Sequence, residues 1–475
     1  QAEAKAEGAT TEADVETPPQ PPINSDDECP VPDYDGRGDE PITAGDVFIW
    51  IPRGIFFPLY ILAEYGIRWP VGKLVVLVEE EDIPKKLVDF FTFGPEGKTG
   101  LVPSFLIDFG FRPSIGIYLF SDDTLWPGSA IRAHGAFGGI DWYRATLALR
   151  HRIADETVDT HAKFVQAKFA YNHRPDWYFY GIGPDTTDDT ETRYTAQTID
   201  GFIVYDGGFW RSSHIRAEVG VTDVRFKNIA CCDELTLLDG VAQGFFPKPA
   251  HFDDGYLIAH GGVVANIDTR ERRNAYEGDA SDHVSPPATG IKVGARGRFA
   301  GGLRESEIEV GGVVSSERPL FVSYGGTLGG FVDIYHQRVV GLELTADFID
   351  PVGDSTEVPF FELISLGGSR PLRGFLNRRL LGRSSATAQL EYRWPMWTFL
   401  DGTVHYGVGN VFNEHLEDFD LEKLRQSVGI GFRGVGSHDH AFEILLAFGF
   451  QTFEQLDGED DLDTVRFVFG STEGF

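Results

Sequence analysis

LISLGGSRPLRGFLNRRLLGRSSATAQLEYRWPMWTFLDGTVHYGVGNV, residues 363–411, joins a loop to a strand, and its reading decides the fold. The loop carries Gly367, Gly368 and Pro371, then the triplet Arg373-Gly374-Phe375. From Ser385 to Trp394 the residues alternate. Ala386, Ala388, Leu390, Tyr392 and Trp394 share one face; Ser385, Thr387, Gln389, Glu391 and Arg393 share the other. Period two with one apolar face is a half-buried strand. The polar face carries both signs of charge, so it lies either in bulk water or in an enclosed wet lumen.

The pattern recurs at Tyr143–Arg150, Val340–Phe348, Phe442–Phe450 and Val465–Gly470. The outer faces of a soluble sandwich rarely carry such regular aromatics. Strands of about 9–11 residues, apolar outside and polar inside, with an aromatic last residue (here Phe475), describe an outer-membrane β-barrel. Candidate strands lie near 101–109, 111–121, 129–138, 142–152, 159–172, 192–206, 208–225, 254–268, 289–302, 322–336 and 338–350. After the loop come 384–394, 402–411, 425–434, 441–451 and 464–475. That makes sixteen, an even number as bacterial barrels require. The segment 307–314 is read as an extension of its neighbour.

LGGSRPLRGF, the strand reading EYRWP and a last strand ending in Phe resemble the barrel of the BamA/TamA superfamily, the bacterial surface antigen family. FYGIGPD at 179–185 is similar to another recurrent stretch of those barrels. The resemblance spans about residues 99–475. It implies a sixteen-stranded antiparallel transmembrane barrel whose sixth extracellular loop folds into the lumen, with Arg373, Gly374 and Phe375 at its tip. It also implies that Arg373 meets an aspartate two strands on. His405 and Gly407 stand where that motif's aromatic and aspartate belong, so another acceptor is needed. Glu391, Glu343 and Asp347 are the candidates, because a guanidinium buried unpaired is costly. The family's seam between first and last strands opens sideways and templates incoming strands. Here Pro103 interrupts the first strand and Gly470 weakens the last, which ends at Phe475; a seam short of ladder bonds opens more easily. As a simple strand start, Pro103 is equally compatible with a closed barrel.

The chain has 475 residues, of which 42% are hydrophobic. It lacks an initiator Met and is read as a mature product whose signal peptide has been removed. Residues 1–40, with PPQPP at 18–22, are expected to form a disordered acidic, proline-rich periplasmic tail. Residues 41–98 are expected to hold short helices, one near Pro58 and one from Pro84 to Phe91, as a periplasmic plug or an interfacial segment. The family's periplasmic polypeptide-binding domains, with βααββ order, have no counterpart there. Residues 99–475 form the barrel.

A formal charge of −32 argues against nucleic acid. Acidic stretches at 185–191, 414–420 and 457–463 fall between strands on the side counted as external. Either they are simply solvated or divalent cations bridge them to lipopolysaccharide. The three cysteines, Cys29, Cys231 and Cys232, make no disulfide framework; a vicinal Cys231–Cys232 bridge suits an oxidising compartment. No Ser-His-Asp signature appears, and Gly429-x-Gly431-x-x-Gly434 lies inside a strand, so neither hydrolase nor dinucleotide chemistry is expected. His438-Asp439-His440 reads as a solvated turn rather than a metal site. No cofactor, metal or catalytic residue is expected. Two functions remain: an outer-membrane factor inserting or translocating proteins or lipids, or a structural, docking or pore barrel. The expected partners are outer-membrane lipid and lipopolysaccharide, with unfolded membrane-protein substrates or periplasmic and surface proteins.

Overall fold

The computed structural model describes Tyr65 and residues 90–94, 97–155, 162–229, 231–232, 234–270, 288–310, 313–335, 337–353, 355–369, 371–397, 400–434, 440–455 and 462–473. The chain divides into two units, Gln1–Pro84 and Lys85–Phe475, and the fold below is that of the second. The expected tail, the expected helix near Pro58, positions 84–89 of the helix expected from Pro84 to Phe91, Cys29, His438, Asp439 and Phe475 lie outside the described residues; Thr92 and Phe93 form a two-residue strand paired with Gly100 and Thr99.

Sixteen strands form the barrel: β1 (Thr99–Asp108), β2 (Ser114–Asp122), β3 (Ser129–Gly139), β4 (Trp142–Ala154), β5 (Lys163–Phe179), β6 (Thr192–Trp210), β7 (Ser213–Lys227) and β8 (Tyr256–Asp268), then β9 (Gly290–Gly302), β10 (Leu320–Tyr335), β11 (Arg338–Pro351), β12 (Ser384–Trp397), β13 (Leu400–Phe412), β14 (Arg425–Gly434), β15 (His440–Thr452) and β16 (Leu462–Glu473). Each pairs antiparallel with its neighbours in sequence, and β16 returns to β1, which closes the cylinder. The segment 307–314, read as an extension of its neighbour, instead belongs to a separate hairpin of Ser306–Val310 on Val313–Glu317. With Val310 and Val313 paired across a two-residue turn, the segment folds on itself rather than lengthening the wall.

The pleat sorts side chains as the alternation predicts. Leu342, Leu344 and Leu390 are 48%, 43% and 46% exposed on the outside, whereas Arg393 is buried inside. No described helix is long and apolar enough to cross a membrane; the apolar surface is distributed over alternate strand positions instead. Strand length is uneven. β5 and β6 run to 17 and 19 residues, while β1, β2 and β14 have 10, 9 and 10. The wall is therefore taller at β5 and β6 than at β1 and β2.

One end of the interior is packed with aromatic side chains. At the end carrying the long connections, Phe360 sits fully buried among Phe179, Tyr194, Phe226, Phe252 and Tyr256. Its ring centroid lies 4.8 Å from Phe226 and 5.6 Å from Tyr194. This core joins the tops of β5–β8 to residues 352–383, the connection between β11 and β12. A short helix, α1 (Leu237–Gln243), contributes Leu237; its start is capped by Thr236 and Asp239, and Gly244 ends it at φ +79°.

Candidate functional site

The 352–383 connection folds into the barrel, and its tip is built by unusual backbone. Gly367 and Gly368 have φ of +102° and +86° and Leu372 has φ +60°. A Cβ on Gly367 would run into the Leu376 carbonyl, so only glycine allows this bend. The Arg373-Gly374-Phe375 triplet then lies flat against β15 and each residue has its own reason to be there. Gly374 presses on the backbone of Phe448 and Gly449, and its N–H donates to Ser427 Oγ at 2.8 Å. Phe375, fully buried, covers Gly449, where a Cβ would meet its ring at 2.9 Å. Arg373 is 2% exposed and pairs with Glu443 of β15.

Glu443 is thus a partner of Arg373 that was not among the expected candidates Glu391, Glu343 and Asp347. It also lies 3.4 Å from Arg433 of β14, so one carboxylate serves two guanidiniums. Glu343 faces Lys292 of β9 at 3.7 Å and Asp347 hydrogen-bonds Arg296. Those carboxylates sit on β11, and the triplet is carried to β15 instead. His405 and Gly407 lie on β13; Gly407 leaves room for Leu372, at 3.1 Å from where its Cβ would be.

A second buried ion pair ties this loop to the closure. Arg466 of β16 holds Asp108 of β1 at 2.8 and 2.9 Å and donates to the carbonyls of Gly368 and Arg373 at 2.5 and 3.2 Å. A third group lies higher. Arg379 of the loop and Arg425 of β14 share Asp463 at 2.7 and 3.0 Å. Arg379 also stacks on Tyr180 and donates to Thr186, both in the 180–191 connection. Asp463 belongs to the acidic stretch 457–463 that was read as solvated or cation-bridging; its side chain is 1% exposed and satisfied by arginine. Among the described residues no group of three or more acidic, His or Cys side chains could hold a metal.

The closure between β1 and β16 is short. Among the described residues Leu106, Ile107 and Asp108 pair with Gly470, Phe469 and Val468, and the Phe109 N–H donates to the Phe467 carbonyl at 2.9 Å. β16 itself continues to Glu473, paired on its other side with β15. Gly470 takes φ +148°, and a Cβ there would collide with the Phe105 carbonyl. Pro103 lies inside β1 opposite Ile117 of β2, on the part of β1 that has no ladder to β16. On the outer face Phe105 and Phe469 meet at 5.2 Å, as do Phe109 and Phe467. On the inner face Leu106, Leu445, Ala447 and Val468 form an apolar strip. Ring contacts and burial thus back a seam that has few backbone bonds.

Glu443, Arg466, Asp108, Arg379, Arg425 and Asp463 were not singled out beforehand. Glu443 and Arg466 carry a signal, since each is the charged residue of an alternating strand. Asp463 is masked by the acidic residues before it.

Residues 266–471 match the Omp85 superfamily domain, a segment running from the end of β8 into β16 and including the triplet. This agrees with the BamA/TamA resemblance read from the same residues. Among solved structures, similarity is found to BamA from Haemophilus ducreyi lacking POTRA domains 1-3, at 15% identity and TM-score 0.49, over 79% of this chain and 70% of that one. CdiB from Acinetobacter baumannii is similar at 8% identity and TM-score 0.44, over 79% of this chain and 59% of that one. No curated protein matches the chain.

Proposed function

We propose that this Omp85-superfamily barrel lies in the bacterial outer membrane and assists insertion or translocation of proteins through the β1–β16 seam. The observation that carries the reading is the three-pair ladder, against ladders running the length of the wall elsewhere. Each missing ladder bond forgoes about 0.5–1.5 kcal/mol. At the far end of the β1 edge Thr99 and Gly100 pair with Phe93 and Thr92, which leaves Leu101 to Phe105 without a ladder among the described residues, a short strand edge of the kind that pairs with an incoming strand. The long connections face the cell surface, as in bacterial barrels generally. Lipids, lipopolysaccharide and unfolded membrane proteins are the expected partners.

A docking barrel without insertase activity is the second reading, and the aromatic core around Phe360 favours it over an open pore. The two separate on a covalent lock. In a background with the native cysteines replaced by serine, Ile107→Cys and Phe469→Cys sit opposite each other across the seam. Oxidation is expected to stop insertion of a client barrel into vesicles carrying this protein, and reduction to restore it. Undiminished insertion by the locked protein defeats the reading.

A further inference from the structure

Cys231 and Cys232 are bridged in the connection between β7 and β8. Cys231 is buried and Cys232 is exposed at φ +73°. The buried sulfur lies 3.7 Å from Arg193 Nη1, at the start of β6. Arg193 is the centre of a tight group. It pairs with Glu234, two residues past the bridge, with Nη2 to Oε1 at 2.9 Å. It stacks on Tyr178 at 4.0 Å and donates to that hydroxyl at 2.5 Å. Arg193 and Tyr178 both donate to the Gly110 carbonyl, at 3.4 and 2.5 Å.

Gly110 lies in the turn between β1 and β2, next to Phe109, whose N–H donates to the Phe467 carbonyl of β16 beyond the last ladder pair at Asp108. It takes φ +90°, and a Cβ there would meet Leu376 of the lumen loop at 2.8 Å. The bridge, Arg193, Gly110 and Leu376 therefore form one continuous contact path to the top of the seam.

We propose that the Cys231–Cys232 bridge is a redox-sensitive clasp on the seam, opened by small dithiols at the cell surface. The proposal rests on the seam reading above. A dithiol thiolate attacks the exposed Cys232 sulfur; the S–S bond breaks and Cys231 leaves as thiolate beside the Arg193 guanidinium, which favours departure. The second thiol of the reagent then displaces Cys232 and closes its own disulfide. Two electrons pass to the protein, the dithiol becomes a cyclic disulfide, and each cysteine thiolate takes up a proton. The cut ring no longer holds Cys232 in the left-handed region, which L side chains rarely adopt. Cys232 relaxes, Glu234 and the reprotonated Cys231 withdraw from Arg193, and the grip on Gly110 weakens.

The test is amide deuterium exchange on the full chain in lipid vesicles, carrying Cys29→Ser so that only this pair responds. Dithiothreitol is expected to speed exchange several-fold at Leu106–Asp108 and Val468–Gly470, with β7 and β8 unchanged. Arg193→Gln, left oxidised, is expected to show the same rise, with no further response to dithiothreitol. Equal seam exchange with and without dithiothreitol overturns the proposal, as does a rise spread evenly around the barrel. Free thiols at both cysteines in oxidised preparations overturn it as well. The covalent lock keeps the two ideas apart. If locking stops insertion but reduction leaves seam exchange unaltered, the clasp fails and the insertion reading stands. If reduction loosens the seam but the locked barrel still inserts clients, the reverse holds.

Discussion

Arg373 shows how one side chain is committed by burial. Its guanidinium is held by Glu443 with both groups out of solvent. Removing one partner strands the other charge, at about 3–5 kcal/mol. Glu443→Gln is expected to lower the heat at which the folded, fast-migrating form converts on a gel, and Arg373→Ala to do so at least as strongly. Equal conversion temperatures for both variants and the parent mean the pair contributes little. His251 makes a second case, in the connection between β7 and β8. Burial pushes its imidazole down to about 4, against pulls upward from Glu317, 3.8 Å away, and Asp254; Ser306 shares a hydrogen bond and Tyr256 packs alongside. The folded form resists protonation while the unfolded chain takes up a proton near 6.5. Its contribution is complete above about pH 6.5 and is lost as pH falls from there toward 4, roughly 3 kcal/mol in all. Proteolysis of the 244–255 region is expected to quicken between pH 7 and 5, and His251→Gln to flatten that dependence.

At the scale of elements, the last strand depends on Gly470. Its positive φ and the close Phe105 carbonyl leave no room for a side chain. Gly470→Ala is expected to cost about 1–3 kcal/mol and to act on β16 rather than the distant wall. Faster exchange confined to β16 and β1 is the check; uniform destabilisation argues against a special bend. The loop core offers a contrasting element. Phe360→Ala removes a ring from the middle of the aromatic cluster, and about 3–5 kcal/mol is expected. Since Phe360 stands on the same connection as Arg373, its loss is expected to expose the triplet to modification as well as to loosen the surface end. Retained protection of Arg373 against a guanidine-specific reagent separates the two halves of the loop.

Across the whole molecule, order is set by ladder length and by what the interior packs against. β5, β6 and β7 have long ladders, each broken by one register shift, and the aromatic core behind them. The seam has three pairs, outer phenylalanines and the Asp108–Arg466 bridge. Exchange rates are therefore expected to rise in steps from β6 around to β1 and β16. A flat profile around the cylinder removes the physical basis for lateral opening. The same asymmetry explains why the loop lies where it does: Arg466 joins loop carbonyls and β1 carboxylate at one point, so loop position and seam closure are coupled.

The alternation of residues such as Ala386, Ala388 and Leu390 with Thr387, Gln389 and Glu391 is enough to establish strands, their faces and their number. Side-chain direction along a strand is a local property with period two. Gly374 and Phe375 stand out only through the resemblance to the BamA/TamA barrels, whose lumen loop carries the same triplet. The partner of Arg373 is different in kind. Glu443 is 70 residues away, and reaching it depends on how far the loop descends and which wall it touches. Asp463 likewise resembles its solvated neighbours until β14 and the loop bring Arg425 and Arg379 onto it. Nor does the charge pattern reveal that Phe360 fills one end of the interior. Pairing across a closed cylinder joins residues through register and loop depth, and only the assembled fold sets those distances.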